Sequence, residues 1–91
     1  MYTVVFRTSF ERTFKKLDRS VQQQILDELS VLAQNPFSHP HIRPIVGVRQ
    51  KAYRLRVGRW RVLYLLLTRN HTLEVIDLFI RKGKNDYQAY V

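Results

Sequence analysis

Ninety-one residues suffice for one compact domain and are too few for two, because smaller units bury too little of their own surface to stand alone. Hydrophobic residues at 45% and aromatics at 12% exclude the composition of a disordered chain. Sixteen Lys and Arg against seven Asp and Glu give a formal charge of +9, which calls for an acidic partner: nucleic acid, an acidic protein or an anionic membrane surface.

The chain opens MYTVVFRTSFERTF, which lacks the long apolar core of a signal peptide, and no apolar run approaches the roughly 20 residues that cross a bilayer. With no cysteine to tie it to an oxidising compartment, the protein is expected to be soluble and cytoplasmic. Tyr2, Val4 and Phe6 alternate with Thr3, Val5 and Arg7, predicting a strand that ends near Thr8. Ser9 is the expected N-cap of a first helix, with Glu11 in its first turn and Phe10, Phe14 and Leu17 at helical spacing. Ser20 is the expected cap of a second, on which Val21, Ile25, Leu26, Leu29, Leu32 and Ala33 form one apolar face before Asn35 and Pro36 stop it. The short connection at Asp18 and Arg19 makes the two an antiparallel helical hairpin.

Pro36, Pro40 and Pro44, with Ser38, His39 and His41, mark a loop from Asn35 to about Val48. Three strands follow, Tyr53 to Val57, Trp60 to Leu67 and Leu73 to Arg81, and then a basic tail. The expected fold is therefore α+β: an N-terminal strand, a helical hairpin and a three-stranded antiparallel meander, with the helices on one face of the sheet. The charge is uneven along this order. Residues 1 to 42 hold five basic and four acidic residues, and residues 43 to 91 hold eleven and three.

Gly58 and Arg59 form a Gly-X pair between two β-rich runs, the preference of a two-residue type II′ hairpin. The register then sets Val57 against Trp60, Arg56 against Arg61, Leu55 against Val62, Arg54 against Leu63 and Tyr53 against Tyr64. Tyr53, Leu55, Val57, Trp60, Val62 and Tyr64 share an apolar face suited to the helices. Arg54, Arg56 and Arg61 share the other, where Arg56 opposite Arg61 is destabilising unless an anion lies between them. Three planar forks on one pleated surface make a track for phosphate. The plain alternative is a solvated strand face, which the regular spacing and the lack of any carboxylate between Glu28 and Glu74 oppose. A four-residue loop at Thr68 to His71 brings Arg61 beside Leu78 to Ile80 and puts Asp77 on the helix-covered face, as a structural carboxylate needing a basic partner.

The run YRLRVGRWRVLY (Tyr53 to Tyr64), preceded by IRPIVG (Ile42 to Gly47) and followed by a strand and a basic segment ending in Tyr87, resembles the RelE/ParE toxin superfamily over most of the chain. The resemblance implies the same strand, helix-pair and meander order, a cognate antitoxin, and in the RelE branch an endoribonuclease that cuts messenger RNA on the ribosome and inhibits translation. Carried over singly, the hairpin positions fall on Arg54, Arg56 and Arg61 and the C-terminal tyrosine on Tyr87; the late basic residue stays open among Arg81, Lys82 and Lys84. The expected catalytic set is Arg56, Arg61, Arg81 and Tyr87, with Arg54, Arg59, Lys82 and Lys84 binding RNA phosphates. No cofactor or metal is expected, and no membrane. A hetero-oligomer with the antitoxin is.

The best-known branch has lysines where this chain has Arg54 and Arg56, and arginine is never a general base. A phenol among cations has its ionised form favoured, so Tyr87 is the expected proton-transfer group. The arginines would stabilise the pentacoordinate phosphate. The histidines His39, His41 and His71 lack acidic partners in the sequence pattern and are not expected at the site, and Tyr53, Trp60 and Tyr64 are expected in the core rather than stacking on bases. Two other readings share the arginine face: a gyrase-inhibiting ParE-like toxin, and a nucleic-acid-binding module without catalysis.

Overall fold

The computed structural model describes residues 1–45 and 51–80. In chain order they form β1 (Thr3–Phe6), α1 (Thr8–Phe14), α2 (Arg19–Gln34), β2 (Ile42–Pro44), β3 (Ala52–Val57), β4 (Trp60–Leu67) and β5 (Thr72–Ile80), with a 3-10 turn at Thr68–Asn70. One five-stranded sheet has the order β1-β5-β4-β3-β2. The expected α+β class and the β3-β4-β5 meander are present. Two strands extend it, β1 parallel to β5 at one edge and β2 antiparallel to β3 at the other.

The strand β2 lies inside the stretch expected to be loop. Its three residues end in Pro44, which has no N–H to offer, and an edge position tolerates that. Its flanks complete the ladder: the Arg56 N–H donates to the His41 carbonyl at 2.9 Å, and the Ile45 N–H to that of Ala52 at 2.9 Å.

Both helices cover one face of the sheet. The apolar stripe of α2 buries Ile25, Leu29, Leu32 and Ala33, and α1 buries Phe10. They meet Leu55, Val57, Val62, Tyr64, Leu73, Val75 and Leu78 in one core, with Tyr53 and Trp60 packed against it. The Tyr2 N–H donates to the Ala33 carbonyl at 2.8 Å, tying the start of β1 to the end of α2.

Neither expected serine cap forms. The residues at the N-cap positions are Arg7 and Asp18, without a side-chain cap bond, so Ser9 and Ser20 lie within the helices. Ser9 serves elsewhere: its hydroxyl donates to the carbonyl of Ile76. That carbonyl belongs to a bulge, where Leu63 pairs with Asp77 and Tyr64 with Val75, leaving Ile76 as the extra residue. A bulged residue drops out of the ladder, and a side-chain donor restores a partner. Ser9→Ala is expected to lower unfolding stability by about 1 kcal/mol, read from denaturant midpoints.

The bulge also corrects the placement of Asp77. An extra residue shifts the alternation, so Asp77 shares a face with Leu63 and Arg54 and not with the helices. Across the sheet the row is Arg43, Arg54, Leu63, Asp77.

Candidate functional site

The hairpin is built as its sequence dictates. Gly58 has φ +60°, and a Cβ there would meet nothing within 4 Å, so the demand for glycine is torsional and not steric. Among the described non-glycine residues only His71 has positive φ, so Arg59 does not, and positive φ at the first central residue alone is the type II′ pattern. All five expected pairings occur, Val57 with Trp60 through Tyr53 with Tyr64. The β4–β5 connection has the expected four residues, closed by His71 at φ 47°, and Arg61 pairs with Phe79 as the loop length implied.

On the face away from the helices, Arg43, Arg54, Arg56 and Arg61 converge with Pro40, His41 and Ile42 around a concavity of about 150 Å³. Arg56 stands directly across from Arg61, and Arg43 directly across from Arg54. Arg54 and Arg61 are only 8% and 6% exposed, so the cleft has a buried floor where a fully solvated strand face would have none. Burying a guanidinium is costly unless it is hydrogen-bonded. Arg61 Nη1 donates to the carbonyls of Gly58 at 2.9 Å and Trp60 at 3.0 Å, which locks its fork to the turn it follows. Arg56 is exposed and its Nη2 donates to His41 Nδ1 at 3.0 Å.

Of the residues expected at the site, Arg54, Arg56 and Arg61 are brought together. Arg59 is exposed at the tip of the turn and does not line the cleft. Arg81, Lys82, Lys84 and Tyr87 lie outside the described residues. Two members were not expected: Arg43 and His41, both carried by the unforeseen β2 and its approach. The alternation of His41 and Arg43 about Ile42 is the signal a strand reading would have used. Glu74, also on this side of the sheet, is paired with Arg7 at 3.1 Å. No carboxylate lines the cleft among the described residues.

The other histidines have structural partners. His39 Nε2 lies 2.7 Å from Glu28 Oε2, an acidic partner that the sequence pattern did not reveal. His71 takes the left-handed turn position, with its ring edge-on to Tyr2 at 5.2 Å. Among the described residues no group of three His, Cys, Asp or Glu is placed to hold a metal ion.

Tyr53 and Tyr64 stack on the helix-covered face with ring centroids 5.6 Å apart, as core rather than as a base-stacking platform. The Tyr64 hydroxyl is fully buried with no hydrogen-bond partner among the described residues. Burial, and then the neighbouring Tyr53, push its pKa far above the usual tyrosine value. A raised folded-state pKa makes this a stabilising difference that is whole below pH ~10, where the free phenol titrates, and is lost as pH rises above it. Tyr64→Phe is expected to leave neutral-pH stability within about 1 kcal/mol of the parent and to flatten the alkaline decline, measured as melting temperature from pH 7 to 12.

The fold is shared with small toxins of the RelE type. The archaeal RelE in its RelB complex from Pyrococcus horikoshii superposes with a TM-score of 0.79 at 19% identity, covering 91% of this chain and 98% of that one. The toxin–antitoxin complex RelBE2 from Mycobacterium tuberculosis gives 0.74 at 22% identity, covering 88% and 98%. A YoeB/ParE toxin from Agrobacterium tumefaciens gives 0.74 at 19%, covering 88% and 99%. No curated protein sequence matches the chain significantly. Residues 4–87 match the family described as ParE toxin of type II toxin–antitoxin system, parDE, and the chain belongs to that family.

Proposed function

We propose that this toxin is an endoribonuclease that cuts messenger RNA by attack of a 2′-hydroxyl on the adjacent phosphodiester, leaving a 2′,3′-cyclic phosphate and a 5′-hydroxyl. The observation that carries the reading is the cleft of Arg43, Arg54, Arg56 and Arg61, with two guanidinium groups buried at its floor. Fixed forks in a partly desolvated cleft bind a phosphodiester and stabilise the charge it gains in the transition state. In this reading Arg56, Arg61 and Arg81 surround the reacting phosphate, Arg54, Arg59, Lys82 and Lys84 hold its neighbours, and Tyr87 exchanges a proton with the substrate. The chain acts in the cytoplasm as one domain on ribosome-bound message, without a cofactor.

A cognate antitoxin completes the pair, as RelB does in the complex with the archaeal RelE. Its seat is the arginine cleft, or the apolar groove of about 410 Å³ between β1 and α2, where Tyr2, Val4, Phe6, Leu26 and Leu29 offer a surface for an amphipathic segment.

The second reading, gyrase inhibition without nuclease activity, is favoured by the family match itself. Primer extension on translated messages after induction, with plasmid supercoiling scored in the same cells, separates the two. Discrete cuts within codons support the nuclease, and gyrase-dependent DNA breaks with intact messages overturn it. Tyr87→Phe addresses the remaining alternative, a binding module: RNA affinity is expected to persist while cleavage is lost.

A further inference from the structure

A 2′-hydroxyl attacks only if something takes its proton, and four arginines cannot. Among the described residues lining the cleft, one side chain can accept a proton: His41. Its backbone is fixed from two sides. Its carbonyl accepts the Arg56 N–H at 2.9 Å, and its own N–H donates to His39 Nδ1 at 3.1 Å. His39 in turn has a buried side chain whose Nε2 donates to Glu28 Oε2 at 2.7 Å, anchoring the approach to β2 on α2.

The tautomer of His41 follows from its partner. Arginine has no acceptor, so at 3.0 Å from Arg56 Nη2 the His41 Nδ1 must present its lone pair, and the ring proton sits on Nε2. An available base is therefore held inside a ring of guanidinium groups, screened by an arginine that is itself exposed to an incoming phosphate. The charged and titratable groups around it are Arg43 on β2, Arg54 and Arg56 on β3 and Arg61 on β4, with His39 and Glu28 behind.

We infer that His41 is the general base of the cleft, a role that rests on the nuclease reading above. A phosphate that engages Arg56 draws its Nη2 from Nδ1 and leaves the lone pair facing the ribose. Nδ1 takes the proton of the 2′-hydroxyl, the O2′–P bond forms and the P–O5′ bond breaks. O5′ leaves with a proton drawn from water. The imidazolium then gives its proton to the hydroxide left behind, which restores the base.

The test uses the purified full-length chain and ribosomes programmed with a short defined message. His41→Asn keeps an acceptor where Nδ1 stood, so Arg56 keeps its partner, but it takes no proton. The turnover number is expected to fall about 10²- to 10⁴-fold for His41→Asn and for His41→Ala alike, with KM within about threefold of the parent. Added imidazole should restore part of the His41→Ala rate. An Asn variant that retains most of the rate, together with no response to imidazole, reduces His41 to a prop for Arg56 and overturns the inference. A parent chain that leaves the message whole overturns the nuclease reading instead, and this one with it. Far-UV circular dichroism is expected to be unchanged, since His41 is exposed.

Discussion

Arg56→Ala is expected to slow RNA cleavage by about 10²- to 10³-fold while leaving the protein as stable as the parent or slightly more so. The two effects have one origin. Arg56 lies opposite Arg61 in the β3–β4 ladder, and like charges directly opposed cost a few tenths of a kcal/mol to ~1 kcal/mol. Its side chain is exposed, so truncation opens no cavity and strands no buried partner. A residue that costs stability and is needed for cleavage is there for the ligand. Arg56→Lys restores the charge without the planar fork, and recovery is expected to be partial. Single-turnover cleavage beside thermal melting reads both quantities, and the salt dependence of RNA binding should lose about one unit of slope. Cleavage unchanged in the alanine variant would remove the cleft from the mechanism.

The largest effect on the fold is expected at Phe10, where alanine should cost about 3–5 kcal/mol of a total that for such domains is about 5–15. Phe10 is 2% exposed and sits between the rings of Phe6 and Phe14, each with its centroid 5.2 Å away. A seven-residue helix does not persist by itself, so α1 is held largely by this side chain. The loss would reach the site side of the sheet through Ser9, which donates to the bulge carbonyl at Ile76. Denaturant unfolding of Phe10→Ala checks this; a loss under about 1 kcal/mol would contradict this seating of α1.

What could be read from the sequence was what local geometry alone determines. Gly58-Arg59 fixes a two-residue turn, the turn fixes the register, and period-two alternation then sorts Leu55, Val57 and Val62 from Arg54, Arg56 and Arg61. What escaped depends on contacts distant in sequence. β2 is only three residues long, follows Pro40 and ends in Pro44, so the alternation of His41 and Arg43 about Ile42 is too short to stand out from a proline-rich loop, and pairing with β3 makes it a strand. His41 and Arg43 were missed with it. The bulge at Ile76 left no trace either, because an inserted apolar residue in Val75 to Ile80 does not disturb an already apolar pattern, and so Asp77 was assigned to the wrong face. Ser9 was read as a cap because serine commonly is one, whereas its position beside β5 gave its hydroxyl another acceptor.

The proposed anion site is the cleft where a reversal at Gly58 and an edge strand at Ile42–Pro44 gather four guanidinium groups. Titrating the full-length chain with a short oligoribonucleotide, while following arginine Nε–Hε resonances by NMR, tests it most directly. The signals of Arg43, Arg54, Arg56 and Arg61 should move together, with Arg12, Arg19 and Arg69 still. Shifts confined to those other arginines, or a response from none of the four, would contradict it.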